Sequence, residues 1–277
     1  MRSFLFAPAS RPDLLAKLPR STPDAICIDL EDAVAPIAKE SSRITAREVG
    51  YELAAAHPSI AVWVRINGLA TEWFEGDVAE GVPANGAGVV LPKAARTTDI
   101  DRVAAALDRA GHTHLEILAG IETVAGVVGA SDVLASPRVT ACYFGAEDYS
   151  ADLGGERRPD GVEVLWPRSQ VAAFARLHGV WALDMVVTDF NNGSAFSQEA
   201  ALGRALGYKG KLCIHPSQVS LAHAAFSPTA EQIERARRMI ALYEEASARG
   251  VASVAFEGEM IDEPIVRRAR RLLEAVQ

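Results

Sequence analysis

The sequence predicts an α/β fold, a TIM (β/α)₈ barrel with a C-terminal helical extension. Short apolar runs rich in β-branched residues recur along residues 1–225, and each is continuously apolar, as in parallel strands buried on both faces. Helix-compatible segments separate the runs, and no glycine-rich nucleotide motif follows any of them. The runs are Phe4–Ala7, Ala25–Leu30, Val62–Ile66, Gly88–Leu91, Leu115–Ala119, Val139–Phe144, Ala182–Val187 and Lys211–Ile214.

The segments between the runs have the apolar spacing of amphipathic helices. Asp99–Ala110 and Arg168–Leu177 carry apolar residues three and four positions apart. Some eight alternations of strand and helix favour a closed barrel over a doubly wound sheet. We therefore assign residues 1–225 to a barrel domain.

Residues 226–277 are predicted to form a helical extension. Thr229 and Gln232 form a capping box at the start of one helix. Residues 251–262 read as a loop or a short extended piece, and Pro264 then begins a last helix. A barrel of eight units does not need these helices, so we expect them to pack against the barrel or a neighbouring subunit. The apolar positions of the last helix are Ile265, Ala269, Leu272 and Val276.

Composition and charge favour a soluble cytoplasmic protein. The 28 Lys and Arg residues against 36 Asp and Glu residues give a net charge of −8, which disfavours nucleic acid or an anionic membrane as partner. No apolar run approaches the ~20 residues of a membrane span, and residues 1–8 are too short an apolar segment for a signal peptide. Cys27, Cys142 and Cys213 lie inside apolar runs, which predicts buried free thiols.

Polar residues follow most of the apolar runs. In a barrel of this kind the carboxyl ends of the strands build the active site, so we expect these residues to converge on one centre. They are Asp29, Glu31, Asp32, Arg65, Asn67, Lys93, Glu122, Glu147, Asp148 and His215.

Carboxylates at the strand ends favour a hard cation bound through oxygen. Mg²⁺ commonly takes one or two carboxylates together with water and substrate oxygens. Glu122 and Asp148 follow adjacent strands and are the predicted ligands. The alternative is that each acid stabilises the amino end of the helix that follows it.

Arg65 and His215 each have a structural and a functional interpretation. An unpaired guanidinium at the end of a buried strand is costly, so Arg65 needs an anionic partner. That partner is either Asp29 or Glu31 in a structural salt bridge, or a substrate oxygen or developing enolate. His215 is a hydrogen-bonded core residue, a substrate contact or a general base.

Eight short motifs stand in order along nearly the whole chain. Each is weak alone, but in this order they resemble the citrate lyase β-subunit-like family of the HpcH/HpaI aldolase group, which includes citramalyl-CoA and malyl-CoA lyases. The motifs are Arg2–Pro8, Asp29–Val34, Val64–Gly68, Leu91–Ala94, Ile121–Thr123, Phe144–Tyr149, Cys213–Gln218 and Ala255–Asp262.

The resemblance implies a homo-oligomer, commonly a trimer, that binds Mg²⁺ through residues matching Glu122 and Asp148. It implies that Arg65 binds the substrate. It also implies that Asp262, on the tail of a neighbouring subunit, completes the site as an acid/base, although Asp262 is equally explained as a helix-start residue.

The resemblance further implies an acyl-CoA substrate. Phe6, Arg11 and Lys17 are candidates for the adenine and phosphate contacts, with Ile214 and His215 along the acyl arm. Lys17 is also explained as a solvated helix residue.

One departure leaves the acyl group open. Many relatives continue Ile-Glu-Thr with Ala-Arg-Gly, whereas Thr123 is followed here by Val124, Ala125 and Gly126. In those relatives the arginine stands where this chain has Ala125, close in sequence to the predicted metal ligand Glu122.

The expected activity is Mg²⁺-dependent cleavage of a β-hydroxyacyl-CoA, such as (S)-citramalyl-CoA or malyl-CoA, to acetyl-CoA and pyruvate or glyoxylate. The alternatives are a citrate lyase β-subunit acting on a citryl group of a carrier protein, a malyl-CoA-type thioesterase, and a noncatalytic CoA-binding protein.

Overall fold

The computed structural model describes residues 1–274, and its main sheet is a closed barrel of eight parallel strands. The strands follow one another in chain order around the barrel, and β8 pairs with β1. This confirms the predicted TIM barrel. The strands are β1 (Ser3–Pro8), β2 (Ala25–Asp29), β3 (Ala61–Arg65), β4 (Gly88–Leu91), β5 (Glu116–Ile121), β6 (Val139–Phe144), β7 (Trp181–Asp184) and β8 (Gly210–Cys213).

Helices connect the strands and surround the barrel. In the barrel unit they are α1 (Pro12–Leu15), α2 (Lys39–Ala56), α3 (Phe74–Gly76), α4 (Thr97–Arg109), α5 (Val124–Leu134), α6 (Ala146–Leu153), α7 (Val162–His178), α8 (Gly193–Leu206) and α9 (Ser217–Phe226). Short 3₁₀ turns at Leu18–Ser21 and Pro36–Ala38 and a π turn at Asp77–Gly81 complete the connections.

Successive residues of each strand face opposite sides of the sheet, which determines what the barrel encloses. Phe4, Cys27 and Trp63 belong to the apolar cluster inside the barrel, whereas their neighbours pack in the outer layer against the helices. Two residues further along the same strands come Phe6, Asp29 and Arg65. The alternation therefore turns these three side chains inward at the carboxyl end.

A buried ion network fixes β7 and β8 to the surrounding helices. The Arg168 guanidinium donates two hydrogen bonds of 2.8 Å to the Asp184 carboxylate, and the Lys211 ammonium donates a third of 2.6 Å to the same group. All three side chains are at most 1% exposed. Removal of one partner from such a network leaves a buried charge uncompensated, so its role is structural.

The chain from Ser227 onward forms a second compact unit. It contains α10 (Ala230–Ala248), an antiparallel hairpin of β9 (Val254–Phe256) and β10 (Glu259–Ile261), and α11 (Glu263–Glu274). The Thr229 hydroxyl accepts a hydrogen bond from the Gln232 N–H, and the Gln232 side chain accepts one from the Thr229 N–H. This is the predicted capping box. Val276, predicted to lie on the last helix, falls outside the described residues.

Several element ends differ from the sequence prediction. Strand β7 stops at Asp184 instead of continuing to Val187, whose carbonyl accepts a hydrogen bond from the Gln218 side chain. Helix α7 starts six residues earlier than Arg168, at Val162, and runs past Pro167. The three thiols are free and buried, as predicted. No helix within residues 1–274 is long and apolar enough to cross a membrane.

Candidate active site

A cavity of about 400 Å³ opens at the carboxyl end of the barrel. Its wall contains Arg65, Glu122 and Asp148, the three side chains that the sequence places at a common centre. Had they faced separate regions, the predicted site would have been excluded. The other lining residues that matter here are Phe6, Asp29, Asp32, Tyr143, Gly145 and Ile214.

Arg65 is held by the acids of the preceding strand end. Asp29 and Arg65 are register partners of β2 and β3, so their side chains meet directly. The guanidinium donates to both oxygens of Asp29 at 2.7 Å, and its third nitrogen lies 3.0 Å from Glu31. Burial acts to lower the pKa of Arg65, but Asp29 outweighs it and raises the pKa well above its ordinary value. The structural salt bridge considered for Arg65 is therefore present.

Lys93 forms ion pairs with acids of the loop after β2 and with an acid in the first turn of α6. Its ammonium lies 2.6 Å from Glu31, 3.4 Å from Asp148 and 3.6 Å from Asp32. Burial acts to lower the pKa of Lys93, and the contact with Glu31 raises it to a net value above the ordinary one. Lys93 and Arg65 are thus both charged and both committed to acids.

Glu122 is buried, and its orientation comes from the backbone. One of its oxygens accepts a hydrogen bond of 2.9 Å from the N–H of Lys93. Gly145 packs against the other side, where a Cβ would lie 2.5 Å from both the Cβ and Oε2 of Glu122. Burial, followed by the negative charge of Glu31, raises the pKa of Glu122 to about 7.

A second layer of hydrogen bonds holds the acidic loop after β2. The Lys39 ammonium donates to the carbonyls of Leu30 and Glu31 at 2.6 and 2.7 Å and to the Asn67 side chain at 2.7 Å. Asn67 in turn donates to Leu30 and to Asp77. The network fixes the backbone that presents Asp29, Glu31 and Asp32.

The site has the donors and the charge that a divalent metal needs. Glu122 and Asp148 supply carboxylate oxygens in one cavity, as Mg²⁺ prefers. Carboxylates outnumber cations around them, and after burial the charges of Glu31 and Asp148 also raise the pKa of Glu122. No set of three His, Cys, Asp or Glu side chains is arranged to hold a metal ion in the described part of the chain. Water and substrate oxygens would therefore complete the coordination of an ion bound here.

The residues predicted to contact CoA divide into two groups. Phe6 and Ile214 line the cavity, and the Arg65 guanidinium lies 5.1 Å from the centre of the Phe6 ring. Arg11 is exposed and paired with Asp13, and Lys17, after the short helix α1, is also exposed. Both follow β1, the strand that pairs with β8.

His215 follows β8 and takes part in local contacts. Its ring stacks on Phe190 with centroids 4.9 Å apart. Its Nδ1 accepts a hydrogen bond from the N–H of Ser217 and lies 2.8 Å from the hydroxyl of the same residue. His215 is not among the residues that line the cavity.

Asp262 belongs to the second unit, where it precedes α11. One of its side-chain oxygens lies 3.4 Å from the N–H of Ile265, and its carbonyl accepts from Val266. This is the helix-start geometry considered from the sequence. Its role as an acid/base of the site stays a prediction.

Three residues of the site were not assigned a role from the sequence. The sequence places Lys93 at a strand end. Its position between the acids that follow neighbouring strands could have predicted that it pairs with them. Tyr143 follows the inward alternation of β6, and its phenol lines the cavity. Gly145, directly after that strand, makes room for Glu122. Only the packing distance reveals that Gly145 is required.

The chain matches a known protein family. The sequence model described as HpcH/HpaI aldolase/citrate lyase matches residues 2–216. This range covers the whole barrel except its last helix, and it includes Arg65, Glu122 and Asp148.

Individual proteins are similar over the full chain. A citrate lyase subunit beta-like protein of Deinococcus radiodurans is 50% identical over 275 residues, covering 99% of this chain and 96% of its own. A (3S)-malyl-CoA thioesterase of Cereibacter sphaeroides is 33% identical over 272 residues, covering 98% and 93%. The structure of CitE from Mycobacterium tuberculosis in complex with magnesium, acetoacetate and coenzyme A has a TM-score of 0.84 and 30% identity, covering 99% and 97%.

Gly145→Ala should displace Glu122, because the new methyl group meets the Cβ of that residue, which cannot rotate away, as well as its carboxylate end. We expect a loss of about 1–3 kcal/mol in the free energy of unfolding, measured by urea denaturation, and a shifted Glu122 side chain in a crystal structure. Gly68→Ala is the matched control, since a Cβ there has no atom within 4 Å. An unmoved Glu122 in the Gly145 variant would contradict the proposed packing.

Proposed function

The chain belongs to the HpcH/HpaI aldolase/citrate lyase family, and from this premise we propose that it is a Mg²⁺-dependent carbon–carbon lyase. Its substrate would be a β-hydroxyacyl-CoA such as (S)-citramalyl-CoA or malyl-CoA. The products would be acetyl-CoA and a 2-oxo acid, pyruvate or glyoxylate respectively.

One observation carries the proposal: a buried guanidinium and two acids face the same cavity. Arg65 offers positive charge, and Glu122 and Asp148 offer oxygen ligands, within one space of about 400 Å³. Cleavage of a bond beside a carboxylate and a thioester needs both, because negative charge develops on oxygen as the bond breaks. The neighbour crystallised with magnesium, acetoacetate and coenzyme A supports the same combination of ligands.

Glu122 and Asp148 would hold the metal, with Glu122 kept in place by the N–H of Lys93. When bound, Mg²⁺ supplies a Lewis acid and a template for the substrate carboxylate and the adjacent oxygen. Asp29 keeps Arg65 in a fixed direction through two hydrogen bonds, so the guanidinium is preorganised and does not have to be ordered during the reaction.

The reaction separates the acyl-CoA into two carbonyl compounds. The hydroxyl-bearing carbon becomes the carbonyl of the 2-oxo acid as its hydroxyl proton passes to solvent, from which Asp262 would be reprotonated after each turnover. The electron pair of the broken bond passes to the thioester, whose enolate oxygen Arg65 would stabilise. Asp262 would deliver a proton to the acetyl carbon.

Phe6, Arg11, Lys17, Ile214 and His215 are proposed to contact the CoA part of the substrate. Phe6 and Ile214 line the cavity. Phe6 belongs to β1, and the other four residues come after β1 or β8 in the chain, two strands that pair with each other. A homotrimer in which the tail of one subunit brings Asp262 to the site of the next, and a cytoplasmic location, are further parts of the proposal.

Two other activities are favoured by particular relatives. The Deinococcus relative is named for the citrate lyase β-subunit, which indicates a citryl thioester, with a carrier protein in place of CoA. The Cereibacter relative is named a thioesterase, in which water attacks the acyl carbon. A noncatalytic CoA-binding protein is less favoured, because the acids and the guanidinium are all in place.

The test is a product analysis of the purified chain with Mg²⁺ and citramalyl-CoA, malyl-CoA or citryl thioesters. We expect acetyl-CoA and the matching 2-oxo acid from one of the first two, detected by mass spectrometry, and no turnover in excess EDTA. Turnover restricted to citryl thioesters would identify the citrate lyase reaction. Free CoA with the intact hydroxy acid would identify the thioesterase, and binding without products would refute an enzyme. Activity that survives EDTA would refute the metal assignment.

Asp262→Asn should lower kcat by at least about 100-fold, because the amide cannot deliver a proton to the acetyl carbon. Mg²⁺ affinity, measured by calorimetry, should stay nearly unchanged. The control is Glu263→Gln, which alters the adjacent acid and its contact with Arg270. If the Asp262 variant keeps full turnover, this residue has no part in the mechanism.

Mg²⁺ binding should depend on pH through Glu122. Since its pKa is raised to about 7, the carboxyl group is protonated below that pH and Mg²⁺ has to displace the proton. The dissociation constant should therefore rise about tenfold for each pH unit below 7 and level off above it. Calorimetric titrations of wild type and of Asp148→Asn should both show this slope, whereas Glu122→Gln should lose it. A slope that persists in Glu122→Gln would assign the titration to another group.

A further inference from the structure

We propose that the Lys93 ammonium is an exchangeable counter-charge of the acidic centre, which competes with Mg²⁺ for Asp148 and thereby weakens metal binding. The inference rests on the proposed function in one respect, the assignment of Glu122 and Asp148 as metal ligands. It adds a residue that sets how tightly the ion is held.

The contacts of Lys93 place a positive charge where the acids converge. The ammonium is bonded to Glu31 at 2.6 Å and lies 3.4 Å from a side-chain oxygen of Asp148. A distance of 3.4 Å is beyond the usual length of a directional N–H···O hydrogen bond, so the interaction with Asp148 is mainly charge attraction. A metal ion on Asp148 would meet this positive charge at close range.

The ammonium is not what orients Glu122. That side chain is held by the backbone N–H of Lys93, and the backbone of Asp148 lies in the first turn of α6. The backbone at Lys93 has φ +54°, in the left-handed region that side-chain-bearing residues rarely adopt. The adjacent Ala94 N–H bonds to the carbonyl of Gly120 and helps to hold that conformation.

A substitution at position 93 can therefore remove the ammonium charge and still keep the backbone that holds Glu122. Lys93→Met keeps the backbone N–H on Glu122 and a side chain of similar length, but it removes the ammonium. The negative charge of Asp148, Glu31 and Asp32 is then balanced by one cation fewer. Mg²⁺ binding should become tighter, because the ion gains those acids without having to overcome a neighbouring positive charge.

The experiment is a calorimetric titration of the full chain with MgCl₂ in the absence of substrate. We expect the dissociation constant of Lys93→Met and of Lys93→Gln to fall about tenfold, a size consistent with one charge at this distance in a partly solvated site. Lys93→Arg, which keeps the charge, should stay within about twofold of wild type by the same charge argument. Lys209→Met is the control, since it removes a lysine next to the amino end of β8, at the opposite end of the barrel.

Weaker or unchanged binding in both neutral variants would overturn the inference. A failure of Lys93→Met to fold, seen as a lost thermal transition, leaves the decision to Lys93→Gln, which can still donate a hydrogen bond to Glu31. If wild type binds no Mg²⁺, the metal assignment fails and this inference fails with it. If wild type binds Mg²⁺ and the neutral variants match it, this inference alone is wrong.

Discussion

The bidentate pair between Asp29 and Arg65 is the interaction on which the site depends. It joins register partners of two adjacent strands, so it needs no loop to bring its members together. A guanidinium turned into a barrel interior requires such a partner, because an uncompensated charge there is strongly unfavourable. Glu31 lies 3.0 Å from the same guanidinium, and the Lys93 ammonium lies 2.6 Å from Glu31. Ion pairs thus link the charged residues at the ends of β2, β3 and β4.

The part of this arrangement that the sequence predicts rests on simple periodicity. Eight apolar runs with helical segments between them are enough to predict a closed barrel, and the confirmed fold places the carboxyl ends of the strands together. Arg65 is the last residue of β3, Glu122 directly follows β5, and Asp148 lies in the first turn of the helix after β6, and all three line one cavity. Residues close to a strand are predictable in this way because the sheet determines their direction.

Features that depend on close packing or on backbone conformation were not predictable. Nothing in the local sequence indicates that Lys93 takes a left-handed conformation, and it is this conformation that directs its N–H to Glu122. The need for glycine at position 145 becomes visible only in the contact with Glu122. The role proposed for Asp262 is of a third kind, because it would require a neighbouring subunit, and the sequence of one chain contains no distance to another chain.

The charge balance of the cavity constrains the order in which its ligands bind. The Arg65 guanidinium contacts both Asp29 and Glu31, so this cluster has a net negative charge even though the guanidinium offers local positive charge to an oxygen beside it. Lys93 is likewise committed to acids. A carboxylate substrate that entered this cavity alone would meet an excess of negative charge in a partly buried site, where repulsion is stronger than in water. On the proposed function, the metal therefore has to bind before or together with the substrate, and the acidic surroundings that repel the substrate are the same groups that attract the ion.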